Sequence, residues 1–307
     1  MTRQRVIWAI LCLFALLVAI VLPFTAFAQE EGEGAIIRYS PFLFGGSPRT
    51  AVWIAAQLHL LFAAFVLGLP TFIVIMELIG VKLKDARYDT FARMLTRLLI
   101  AAVATTAALG GVLAFFLVGH YPVLIHYMSN IFHTTFCIYA FLFFGLAFSL
   151  YAYHYSWDRL MHKKWAHLLL GLSVNLFGTA LMFIANSWST FMMTPAGIEK
   201  ETGQLLSLWE AVANPLWSPI NVHRLIANIA FGGFVVGAYA AIKFLGATTE
   251  EEKARYDWMG YMGNFIGVAA LIPLHFAGYW LGREIFNSSP AMLSIMMVGR
   301  SRGDSLL

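Results

Sequence analysis

Between Thr50 and Met76 the chain has no Asp, Glu, Lys or Arg, and most of its side chains there are aliphatic or aromatic. A continuous apolar run of this kind exceeds the roughly 18–20 residues that a helix needs to cross a bilayer. The run is unbroken rather than alternating, which argues against membrane strands. Similar runs predict helices at about 50–79, 92–119, 131–156, 164–193, 220–246 and 258–283, with another starting near Pro290. Composition agrees: 60% of the 307 residues are hydrophobic and 12% charged, about half the charge of a soluble domain, and mean hydropathy is +0.74. The expected fold class is all-α: a polytopic membrane helical bundle of six to seven transmembrane helices after an N-terminal signal segment.

The first 28 residues read as that signal, a cleaved peptide or an uncleaved anchor. Arg3 and Arg5 form its basic start, residues 7–22 its apolar stretch, and Ala26-Phe27-Ala28 a small-x-small site before Gln29. Residues 29–49 then form a short lead on the outer face, 50–299 the membrane domain and 300–307 a charged tail. Loop charge supports this orientation. Lys82, Lys84, Arg87, Arg93 and Arg97, then Arg159, Lys163 and Lys164, then Lys243, Lys253 and Arg255 mark alternate loops as cytoplasmic. The intervening loops are neutral ("GHYPVLIHYMSN") or acidic (Glu199, Glu201, Glu210). The chain is therefore expected in an inner, cytoplasmic-type membrane, with lipid around it and the mature N-terminus outside. A net charge of +4 needs no nucleic acid to explain it. Cys12 and Cys137 form no CxxCH motif, so covalent c-type haem attachment is excluded.

Topology then sets the depth of the histidines. His59 lies about 13 Å into an inward-running helix, at about 1.5 Å per residue. His223 starts its helix on the outer side, His275 lies near an outer end, and His120, His126 and His133 surround one outer loop. Six of the nine histidines thus gather in the outer leaflet, an arrangement that points to metal or haem within a helical bundle. His154, His162 and His167 fall at the cytoplasmic boundary, where solvated or lipid-facing positions are expected. Glu77, the main acidic residue within a predicted span and near its inner end, reads equally as a helix-end carboxylate beside Lys82 and Lys84 or as an intramembrane acid, although a chain built to move protons would show more of them. Of the thirteen methionines, most are core filler; Met297 in "SIMMVG" could offer a thioether to iron.

The segments "QLHLLFAAFVLGLPTFIVIMEL", "LMFIANSWSTFMMTPAG" and "NPLWSPINVHRLIANIAFGGFVVGAY" resemble subunit I of the cytochrome bd quinol oxidases, in order, over most of residues 50–245. The resemblance implies haems near the outer face, quinol as electron donor and further membrane subunits as partners. It makes His59 the axial ligand of the oxygen-reducing haem, which is d-type or b-type by lineage. His223 becomes a ligand of the low-spin haem b, and Met297 the methionine opposite it.

The sequence also departs from the family. Ala114 and Tyr139 stand where glutamates are expected, "STFMM" separates the "ANSW" motif from its proline, and residues 246–257 and 284–290 leave no room for a long quinol loop. The expected function is a haem-binding electron-transfer subunit resembling cytochrome bd ubiquinol oxidase subunit I, which does not reduce oxygen alone. Two alternatives stand beside it. One is a bis-histidine dihaem cytochrome b, pairing His120 or His133 with His275 and leaving Met297 idle. The other is a haem-free transporter or assembly partner.

Overall fold

The computed structural model describes residues 48–289; the signal segment, most of the lead, Met297 and the tail lie outside them. The elements are α1 (Pro48–Leu83), α2 (Ala86–His120), α3 (Pro122–Tyr155), α4 (Trp157–Leu160), α5 (Lys164–Phe191), α6 (Leu208–Val212), α7 (Trp217–Leu245) and α8 (Glu250–Ser288). Six of them are long and apolar enough to cross a membrane, as the apolar runs predict. Among the described residues no strand forms, only an isolated bridge between Ile198 and Leu205.

Several helices overrun the predicted spans because backbone bonding continues past the apolar window. α8 begins at Glu250 rather than near 258. The Thr249 hydroxyl accepts from the Glu252 amide at 3.2 Å, and Glu250, Glu251 and Glu252 fill the first turn, where acidic groups favour the helix dipole. The stretch expected as an outer loop around residue 125 is also helical. α3 starts at Pro122, whose missing N–H suits a first turn, and the irregularity falls instead at Phe132, with φ −105° and ψ 19°. Between α1 and α2 the chain turns through Lys84 at φ 54°. Asp85 there accepts from the Arg87 amide at 2.9 Å and pairs with its guanidinium at 2.7 Å, which holds its carboxyl below the usual range.

The described residues divide into two compact units, one comprising residues up to Leu60 plus Thr105–His133, the other Leu61–Ala104 plus Thr134 onward. The first contains the start of α1, the end of α2 and the start of α3.

The second unit has its own core, in which Leu69, Phe72, Ile73, Met76, Phe91, Leu95 and Val236 are almost wholly buried. Phe72 meets Phe91 edge-on at 5.6 Å, and Trp258 of α8 meets Tyr88 and Phe91 at 4.9 and 5.6 Å. Lipid is as apolar as leucine, so close packing rather than exclusion from water must hold membrane helices together. Glycines permit that approach. A Cβ on Gly68 would lie 1.8 Å from the Asn228 carbonyl oxygen, and one on Gly233 would lie 2.7 Å from that of Gly263. α1 thus lies against α7 at the first point, and α7 against α8 at the second. α5 buries His167, Gly171, Gly178, Met182, Asn186 and Thr190, mostly three or four apart and so on one face.

Candidate functional site

In the first unit, His59 of α1 sets its Nδ1 3.1 Å from the Thr106 carbonyl oxygen of α2. A carbonyl only accepts, so Nδ1 bears the proton, and in a neutral ring the basic nitrogen is then Nε2. That is the tautomer found where a histidine binds iron or zinc through Nε2 and is oriented through its other nitrogen. Gly110 makes room for the ring: a Cβ there would lie 2.9 Å from Cε1 and 3.2 Å from Nδ1 of His59. His126 Nε2 lies 3.3 Å from Asn130 Nδ2, His120 is next to Phe116 with ring centroids 6.0 Å apart, and His133 is exposed. The described residues contain no group of three or more His, Cys, Asp or Glu that could hold a bare metal ion.

In the second unit, two of the quoted motifs meet. Asn186, from "ANSW" on α5, donates to Asn221 Oδ1 of α7 at 2.7 Å and accepts from Arg224. Trp217 donates its indole N–H to the Phe183 carbonyl at 2.8 Å. Asn214, from "NP", donates to Thr190 Oγ1 at 2.9 Å and accepts from Thr194 at 3.2 Å. The "STFMM" insertion is therefore accommodated: its first three residues extend α5, and Thr190 within it joins the motif contact.

His223 lies on α7 two residues beyond Asn221 and next to Arg224. Its Nδ1 is buried without a hydrogen-bond partner, and a Cβ on Gly278 of α8 would lie 3.7 Å from it. Asn221 is 1% exposed, and its Nδ2 also lacks a partner. His275 is exposed. Met297 lies outside the described residues.

A third cluster overturns two expectations. Glu77 and His167 are neither solvated nor lipid-facing: they are 2% and 3% exposed. His167 Nδ1 lies 2.6 Å from Glu77 Oε1, and Tyr153 donates to Glu77 Oε2 at 2.5 Å. Nearby, Lys164 pairs with Asp89. Sequence periodicity could not pair Glu77 with a histidine ninety residues away. Arg224 and Asn186 were likewise missed as site residues, although a lone arginine inside an apolar span is a readable signal.

The profile of the family described as "Cytochrome bd terminal oxidase subunit I" matches residues 48–301. A Bacillus subtilis (strain 168) protein named "Putative cytochrome bd menaquinol oxidase subunit I" is 29% identical over 204 residues, which cover 64% of this chain and 45% of that protein. The solved bd oxidase from Geobacillus thermodenitrificans superposes with a TM-score of 0.72 at 22% identity, covering 80% of this chain and 57% of the matched one. The chain thus spans about half the length of these relatives. On the extent of the profile match, with the fold in agreement, the chain belongs to the cytochrome bd terminal oxidase subunit I family.

Proposed function

We propose that this protein is a haem-binding electron-transfer subunit that takes electrons from quinol and works beside other membrane subunits. The observation that carries the reading is His59: its ring is oriented by an Nδ1–H directed to the Thr106 carbonyl, as metal-binding histidines are held through their second nitrogen, and Gly110 shapes a seat for the ring. The donor set suits haem better than a bare ion, since among the described residues imidazoles recur without clustered carboxylates or thiols. His59 would hold one haem; His223 and Met297 would hold a second of b type. When bound, such a haem supplies an iron that accepts and releases single electrons.

The protein's own residues do the remaining work. Thr106 orients the His59 ring through the Nδ1 hydrogen bond. The contacts of Asn214 with Thr190 and Thr194, and of Trp217 with Phe183, fix the entry of α7 against the exit of α5, and so fix where His223 stands. In this reading the Lys/Arg-rich helix ends face the cytoplasm, and both ligand histidines lie in the outer leaflet.

The test is an optical spectrum of the purified protein, with the haem extracted and identified. His223→Ala should remove the low-spin band while the protein remains inserted, and Met297→Leu should lower the midpoint potential without abolishing binding. Absence of a Soret band from wild-type protein made in haem-replete cells would defeat the reading.

A further inference from the structure

We infer that Arg224, with Asn186 and Asn221, seats a carboxylate, namely a propionate of the haem held by His223; this rests on the haem reading of His223.

Arg224 lies inside the apolar span Trp217–Leu245, where an ionised side chain is expensive and ordinarily finds a counter-charge. Among the described residues no carboxylate pairs with it: the ion pairs there involve Arg87, Arg93, Lys164, His167, Lys253 and Arg255. Its partner is the neutral amide of Asn186.

The orientation of the amides follows from donor and acceptor logic. Arginine only donates, so the Asn186 atom facing it is the oxygen. The other end of Asn186 is then an N–H, so the facing atom of Asn221 is its oxygen, 2.7 Å away. The end of that chain is Asn221 Nδ2, a donor buried with nothing to accept from it. Remaining capacity in the cluster, on guanidinium and amide alike, is therefore for donation to an acceptor. An aspartate at 186 or 221 would have neutralised Arg224 internally; asparagine at both leaves its charge for a ligand.

A planar guanidinium binds a carboxylate through paired N–H groups. Two features make a haem carboxylate the fitting one. Arg224 follows His223 directly in the chain, and the orphaned amide precedes His223 by two residues.

The probes are haemin and haemin dimethyl ester, which differ in whether the propionates are charged. Each is titrated by Soret absorbance into the full chain, freed of haem, in detergent. A His59→Ala background isolates the His223 site. Wild-type residues at 224 and 221 should favour haemin over the ester by roughly ten- to a hundred-fold, the size expected for charge-assisted hydrogen bonds. Arg224→Gln should abolish that preference by weakening haemin alone, and Arg224→Lys should restore part of it. Unchanged ester affinity in both variants serves as the check that α7 is intact. An Arg224→Gln protein that keeps the wild-type ratio of affinities, or loses both ligands equally, overturns the propionate seat. Haemin binding that persists unaltered in His223→Ala instead overturns the underlying reading of His223, and the proposal with it.

Discussion

His167 Nδ1 lies 2.6 Å from Glu77 Oε1, and His167 Nε2 lies 2.9 Å from the Tyr153 carbonyl oxygen. The carbonyl can only accept, so Nε2 bears a proton, and one further proton is shared between ring and carboxylate. The pair is neutral overall yet almost fully enclosed, with Trp157 and Tyr153 against the imidazole at centroid distances of 4.5 and 4.2 Å. It ties α1, α3 and α5 together.

Removing one member leaves the other unpaired in a low-dielectric interior. Glu77→Ala should destabilise by about 3–5 kcal/mol, whereas the apolar double replacement Glu77→Met with His167→Phe should recover most of that loss. Tyr153→Phe removes a single donor and should cost about 1–2 kcal/mol. Unfolding of the detergent-solubilised Glu77→Met, His167→Phe and combined variants, arranged as a double-mutant cycle, checks the coupling. Additive single effects would contradict a direct interaction.

Gly110→Ala addresses the His59 seat without touching the imidazole. The added methyl would meet Cε1 at 2.9 Å and Nδ1 at 3.2 Å, so the ring must shift and its hydrogen bond to the Thr106 carbonyl is disturbed. Overpacking of this kind costs about 1–3 kcal/mol. The expected outcome is a folded, inserted protein whose haem absorbance assigned to His59 is shifted or lost. A wild-type spectrum would show that the ring is not held as described.

The helix contacts give a sharper contrast. Gly68→Ala would place a methyl 1.8 Å from the Asn228 carbonyl oxygen, a backbone atom that no rotamer change can move. The variant should lose the α1–α7 packing, seen as poor yield or a thermal midpoint lowered by several degrees. Gly282→Ala, with nothing within 4 Å of its Cβ, should be neutral or slightly stabilising through helix propensity.

The parts of this architecture legible in the sequence are those that depend on local pattern. Apolar runs located all six long helices, and the histidines and motif residues were visible as residue types. Helix ends were less legible, because polar residues such as Glu250 to Glu252 continue a helix that hydropathy alone would end. Even so, Thr249 before them is a readable cap. Pairings such as Glu77 with His167, or Asn186 with Asn221, depend on which helix faces which, and no local period encodes that. Depth along a helix said that His167 lay near the boundary; it could not say that the side chain faced inward.

Oxygen reduction to water is not expected of this chain alone. Making water takes four electrons and four protons at one iron site, and in a bilayer those protons travel along buried acids, histidines and water. Among the described residues the buried carboxylates are Glu77 and Asp89. Both are engaged, Glu77 by His167 and Tyr153 and Asp89 by Lys164. At Ala114 and Tyr139, where the family resemblance leads one to expect acids, no carboxylate is present. A haem on His59 would therefore pass electrons more readily than it could be supplied with protons. Purified protein of confirmed haem content, given a reduced quinol, should reduce a one-electron acceptor such as ferricyanide faster than ferricyanide and quinol react alone. Oxygen uptake should stay near background. Sustained, cyanide-sensitive oxygen consumption by this chain without partners would show that protons reach the His59 site by a route other than carboxylates at these two positions.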